Sequence, residues 1–154
     1  MDLLVRLYGL PGDTINDAGA AEFTVRRAFA AEKGIVRTWI SQHFGEMWAS
    51  ESEAAFARLP ISCFVAVADN QVAGFACYDA TTRGFFGPIG VAEGQRRRGV
   101  GRAMLLATLR DMAGQGYGYA IIGAAGSAAF YRRDLNVVEI PDSVPGFYRG
   151  LLKG

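Results

Sequence analysis

The sequence predicts an α/β (mixed α+β) chain, with one mixed sheet of about seven strands and helices on both faces. Three observations predict it. Apolar residues follow helical spacing before Pro60 and strand-like runs after it. Strands and helices then alternate to the end of the chain, an order that calls for helices layered on a sheet. The 154 residues, 51% hydrophobic and 20% charged, suit one folded domain over 1–154 with a core of its own.

Each element has its own signal. Residues 3–8 read as a short strand, ended by Gly9-Leu10-Pro11-Gly12-Asp13. Asp17 can cap a helix through about Glu32, which Lys33-Gly34 would close. A second helix is expected over about 36–48, where Val36, Trp39, Ile40, Phe44, Met47 and Trp48 share one face. Residues 51–59 add a short helix before Pro60. Residues 63–68 and 72–78 are strands joined by Asp69-Asn70, a two-residue hairpin turn. Residues 85–91 form the next strand. Pro88 cannot donate to a ladder, so a bulge or unpaired position is expected at Gly87-Pro88. A helix rich in Ala, Leu and Met follows over about 99–113, then a strand over 117–124. A short helix over 127–133, a strand over 137–140 and a last strand in the tail, 145–152, complete the series.

Composition excludes several function classes. Sixteen Lys and Arg face fifteen Asp and Glu, a net charge of +1, so nothing draws the whole chain to nucleic acid or an anionic membrane. Met1-Asp2-Leu3-Leu4-Val5-Arg6 lacks the long apolar core of a signal peptide. No apolar run approaches the roughly 20 residues that span a bilayer. Cys63 and Cys77 both fall in expected strands and no CxxC pair occurs, so two reduced core thiols, no metal site and a cytoplasmic address are expected.

The chemistry lies between Gly87 and Leu105. A strand ends at Val91, and a loop rich in Arg and Gly leads directly into a helix. The first turn of a helix has free N–H groups and the positive end of its dipole, a seat for phosphate or pyrophosphate. Gly99 and Gly101 remove side chains where backbone must approach such a ligand, while Arg96, Arg97, Arg98 and Arg102 add charge. The residues alone also allow a solvated basic loop. A dinucleotide fingerprint fits poorly, because Met104 stands at the third glycine position, and no Gly-Lys-Ser/Thr supports a Walker loop.

Arg96-x-x-Gly99-x-Gly101 resembles the Q/R-x-x-G-x-G/A signature of the GNAT acetyltransferases. Ile89-Gly90-Val91 before it resembles that family's fourth strand, and the element order from Cys63 to Leu152 resembles its fold. The resemblance implies a GNAT sheet whose fourth strand, around Ile89 and Val91, splays from the fifth, around Ile121 to Ala124. It implies acetyl-CoA as cosubstrate, its pantetheine arm paired with Ile89 and Val91 and its pyrophosphate held by N–H groups from Arg97, Arg98, Gly99, Val100, Gly101 and Arg102. The Val91 N–H would then face the thioester carbonyl, where negative charge develops on attack.

Tyr131 is the second candidate. Ser127 can cap the short helix that carries it. The residues alone leave a packed aromatic beside Phe130 or a phenol serving the departing thiolate; the resemblance implies the second, with Ser127 and Tyr131 beside the cofactor. For the proton of the attacking amine, His43, Glu46 and Glu93 are candidates, against a core histidine and two solvated carboxylates. Trp39, His43 and Trp48 are candidates for an acceptor pocket, with Tyr148 a further one; as an aromatic stripe, both tryptophans equally suit the core. The resulting expectation is an N-acetyltransferase acting on a primary amine, small or on a peptide, by direct attack. No Ser or Cys carries the marks of an activated nucleophile. The rival is an acyl-CoA-binding or sensing module without catalysis. Family habit and an apolar tail suggest a homodimer.

Overall fold

Two tight features organise the sheet. Asp69 and Asn70 both adopt positive φ, 50° and 61°, and so close a hairpin between β3 (Cys63–Ala68) and β4 (Gln71–Tyr78). At Gly87-Pro88 the register of β5 (Phe85–Val91) against β4 shifts, from Tyr78↔Phe86 to Ala76↔Ile89, and the expected bulge is present. The extra residue resets which side chains face which way. Phe86, Ile89 and Val91 all turn to one face, and Gly90 turns to the other, against Phe44 and Phe75.

The computed structural model describes residues 1–12 and 22–154. Its strands also include β1 (Leu3–Arg6), β2 (Thr24–Arg27), β6 (Tyr119–Ile122) and β7 (Val137–Glu139). Together the seven form one mixed sheet in the order β2-β3-β4-β5-β6-β1-β7. β5 and β6 run parallel, and the other described pairs are antiparallel. Helices α1 (Lys33–Phe44) and α2 (Glu46–Phe56) cover one face. Helices α3 (Val100–Gly114) and α4 (Ala128–Arg132) cover the other. Met104, Leu105 and Leu109 of α3 are fully buried, each worth roughly 1.5–3 kcal/mol of apolar burial.

Three expectations need correction. The helix expected over 17–32 is not formed in its described part: Thr24–Arg27 is the edge strand β2, followed by a 3-10 turn at Ala30–Glu32. Residues 17–21 of that reading lie outside the described residues. The open edge of β3 supplies partners for β2, and Arg27 forks onto Asp111 of α3 at 2.5 and 3.1 Å while lying over the Phe64 ring. These tertiary contacts outweigh the helical propensity of an alanine-rich stretch. Second, the helix expected over 36–48 breaks at Gly45, whose φ of 97° and ψ of 170° suit glycine alone, and α2 begins afresh. Third, the tail is no strand. Gly146 and Gly150 have φ of 82° and 79°, and Arg149 and Leu151 donate to Gly146 and Tyr148, so the chain folds into successive tight turns.

β5 and β6 are the strands expected to splay. Their described pairing is limited to Phe85↔Ile121 and Phe86↔Ile122, while β5 continues to Val91. Among the described residues no helix is long and apolar enough to cross a membrane.

Candidate functional site

The splay leaves one edge of β5 open. Ala92 donates to Ala73 of the β4 side at 2.9 Å, so Ala92 and Ala73 form a hydrogen-bonded pair. Antiparallel pairing alternates, which makes Val91 and Ile89 non-hydrogen-bonded positions toward β4. Their N–H and C=O groups therefore point away from β4, into the gap beyond the end of the β5–β6 ladder. There the Val91 carbonyl meets Arg96 Nε at 3.4 Å.

A cavity of about 740 Å³ opens along this edge. It runs from Ile89 and Val91 across the start of α3 to Ser127 and Tyr131 of the α4 segment. Ala103 makes the first α3 backbone bond, to Gly99, so the N–H groups of Val100, Gly101 and Arg102 are the free donors of the first turn. Gly99 (φ 80°) and Arg97 (φ 67°) both take the left-handed turn that winds successive N–H groups around an anion. A Cβ on Gly101 would meet the Phe130 ring and Val91 at 3.4–3.5 Å, an ordinary contact distance.

The arginines divide. Arg96, Arg97 and Arg102 line the cavity. The Arg102 guanidinium is tied by Nε to Asp134 Oδ1 at 2.8 Å. Arg98 lies outside the lining and pairs with Glu22 at 2.6 Å. Asp134, a carboxylate beside the expected phosphate seat, carries no sequence signal that would have marked it. These groups suit a thioester of a phosphorylated carrier: an open strand edge for its amide arm, and N–H donors with the guanidinium groups of Arg96 and Arg97, neither in an ion pair among the described residues, for its phosphates.

Tyr131 lines the same cavity. Its ring packs edge-on against Phe86 and Phe130, with centroids 6.4 and 5.0 Å away. Ser127 caps the helix, accepting from the Phe130 N–H at 3.4 Å. Among the described residues the Tyr131 hydroxyl has no hydrogen-bond partner, and burial pushes its pKa up to about 12. The phenol is therefore neutral and holds a proton at neutral pH.

A second cavity, of about 860 Å³, lies on the other side of the splay. Phe86, Gly87 and Pro88 of β5 and Gly123-Ala124 after β6 form its floor. Helix α2 and the tail residues Phe147 to Leu151 form its walls. Trp48 lines both cavities. Trp39 and His43 line neither: His43 is exposed, stacked on Trp39 at 4.2 Å, and its Nδ1 meets the Trp39 carbonyl at 2.8 Å. Glu46 lines the second cavity but is held by Arg37 and Ser41, and hydrogen bonding from Arg37 lowers its pKa. Glu93 is exposed on the loop and lines neither cavity. Sequence reasoning missed Glu51. Tyr148 donates to its Oε1 at 2.5 Å and Thr81 donates to the same oxygen. The Tyr148 phenol is pushed up to about 12 by burial and by that bond to Glu51. Helical spacing alone could not reveal this cluster, since Thr81 and Tyr148 come from remote segments.

Comparison with known proteins agrees with the geometry. No curated protein matches the sequence closely enough to be called a relative. Among solved structures, the chain resembles the glucosamine N-acetyltransferase region of a fungal multi-domain GH3 β-N-acetylglucosaminidase (15% identity, TM-score 0.71). That match covers 89% of this chain and 19% of the other. It resembles a GCN5-related N-acetyltransferase from Sphaerobacter thermophilus (18%, TM-score 0.68), with 89% and 47% covered. A third is a GNAT family acetyltransferase from Brucella melitensis in complex with acetyl-CoA (17%, TM-score 0.60), with 79% and 98% covered. The chain thus spans about a fifth and about half the length of the first two. At these identities the likeness is one of fold. The family model described as Acetyltransferase (GNAT) family matches residues 33–136, well over half of the sequence, and the chain belongs to that family.

Proposed function

We propose that the domain is an N-acetyltransferase that takes acetyl from acetyl-CoA and passes it directly to a primary amine of a small molecule or peptide. The observation that carries this is the open edge of β5 at Ile89 and Val91, set between the free N–H groups of α3 and the buried phenol of Tyr131. Acetyl-CoA would supply an activated acyl group whose leaving group is a thiolate.

The chain's own residues do the rest. Ile89 and Val91 would bind the pantetheine amides as an added strand pairs with a sheet edge. Val100, Gly101 and Arg102 N–H groups, with Arg96 and Arg97, would hold the phosphates. The Val91 N–H would donate to the carbonyl oxygen as charge builds there. Tyr131 would give its proton to the departing sulfur, and Ser127 sets the helix that aims it. Direct transfer is supported by Cys63 and Cys77, both wholly buried under α1 and α2 and so out of reach as acyl carriers. The second cavity favours catalysis over a module that only binds acyl-CoA, since such a module needs no acceptor site.

The test is free-CoA release from acetyl-CoA over a panel of primary amines, with CoA and pantetheine affinities measured alongside. Turnover with at least one amine, and CoA binding much tighter than pantetheine, are expected. Equal affinity for the two would remove the phosphate site. The two free, buried thiols suit a reducing compartment, so the cytoplasm is the proposed address. A homodimer is proposed on the exposed Val144, Phe147, Leu151 and Leu152; a monomer mass by sedimentation at high micromolar concentration would exclude it.

A further inference from the structure

Glu51 is the one carboxylate of the second cavity whose hydrogen bonds come from hydroxyls and not from a cation. Thr81 and Tyr148 both bind Oε1, and Oε2 accepts no hydrogen bond among the described residues. The two hydroxyls thereby fix the side chain and leave an oriented anionic oxygen on a group that lines the cavity. Glu46 is already matched by Arg37, and Arg149, the cation of the lining, is exposed on the tail. Met47, Trp48, Phe147 and Leu151 make the surrounding wall apolar.

Position decides what that oxygen can do. Thr81 lies in the loop between β4 and β5, beside the Phe85 end of β5. Val91 is at the far end and lines the other cavity, and the floor of Glu51's cavity stops at Pro88, three strand residues or roughly 10 Å short of Val91. Glu51 thus lines a cavity that stops short of Val91. An amine held by a carboxylate is moreover stabilised as its ammonium, which cannot attack a carbonyl. The amine that reacts and the cation that Glu51 holds are therefore different groups.

Resting on the acetyl-transfer reading, we infer that Glu51 selects acceptors carrying a second cationic group, about 10 Å from the amine that is acetylated, on an apolar linker. Such an acceptor is a linear diamine or polyamine, or a peptide amine with a nearby basic side chain. Thr81 and Tyr148 are positioning residues for Glu51.

The test uses octamethylenediamine and octylamine, equal in apolar length and different by one cation. Calorimetry on the full chain with saturating CoA should show the diamine binding about 10-fold or more tightly than the monoamine, the scale of a hydrogen bond to a charged group. Glu51→Gln should bring the two to parity, leave CoA affinity unchanged, and raise KM for the diamine with kcat nearly constant. Equal binding of the two amines by the unaltered protein overturns the inference, whether or not the variant folds. A large fall in kcat with unchanged diamine affinity also overturns it, because Glu51 would then act on the reacting amine. Failure of CoA itself to bind would strike the acetyl-transfer reading instead.

Discussion

Tyr131 combines a packed ring with an unpartnered hydroxyl, so its proposed part in the chemistry can be tested apart from its packing. Its ring is 8% exposed and wedged against Phe86 and Phe130, while its hydroxyl keeps a proton no neighbour shares. Tyr131→Phe removes that proton and keeps the ring. Melting temperature and CoA affinity should hold, and kcat should fall by roughly 10-fold to 10³-fold, nearer the lower end because a thiolate leaves readily. Steady-state kinetics on a verified acceptor beside a thermal melt checks this; unchanged kcat removes the phenol from the mechanism. The same burial has a pH signature. With a folded pKa of about 12 against 10 unfolded, the folded state keeps the proton longer than the unfolded chain. The stability this represents is complete below pH 10 and is lost as pH rises toward 12. Burial raises Tyr78 and Tyr148 as well, so they act in the same direction. The melting temperature should fall between pH 10 and 12, less steeply in Tyr131→Phe; a flat profile over that range contradicts it.

At the scale of elements, the strand-loop-helix unit from β5 into α3 is the most informative. Gly101→Glu tests it, because its effects on folding and on binding differ in sign. A Cβ there meets Phe130 and Val91 only at ordinary contact distance, and an acidic residue in the first turn of α3 suits the helix dipole. Melting temperature should stay or rise, while CoA affinity drops at least 100-fold through lost space and added negative charge, as calorimetry would read. Retained CoA binding would place the phosphates elsewhere. This unit was legible in the sequence because its signals are local: turn residues, a proline in a strand, glycines at a helix start. The Asp69-Asn70 hairpin and the Ser127 cap were legible for the same reason. What was not legible depends on distant partners. Thr24–Arg27 became a strand because β3 offered an edge and Asp111 a fork for Arg27. The tail missed strand pairing because Gly146 and Gly150 turn it back. Glu51 gained its place from residues 30 and 97 positions away.

Across the whole molecule, the two cavities depend on different long-range ties, and this permits one to be disturbed without the other. The cavity along α3 is built from segments between Phe44 and Asp134. The α2-side cavity also needs the tail, which is anchored through the first residues of the chain. Asp2 N–H donates to Ser143 Oγ at 2.8 Å, its carbonyl accepts from Ile140 at 2.9 Å, and its carboxylate accepts from the Ala124 N–H at 2.8 Å. Asp2 is 8% exposed, and its Oδ1 lies 3.4 Å from where a Cβ on Gly146 would stand. The carboxylate thus holds the segment after β6 at Ala124, while the backbone of Asp2 holds Ile140 and Ser143 ahead of the tail. Asp2→Ala leaves the backbone bonds and removes this joint, the carboxylate's hydrogen bond to the exposed Ala124, a loss of about 1 kcal/mol. Ala124 adopts a left-handed φ of 47° that its bond to Asp2 helps to hold, so the floor of the α2-side cavity should loosen there. The expected outcome is a lower melting temperature, a raised KM for the amine, and unchanged CoA affinity, since no α3 donor depends on the joint. Asp2→Asn, which keeps an acceptor oxygen for Ala124, should recover most of the loss. A parallel loss of CoA affinity in Asp2→Ala would show that the two cavities respond as one unit.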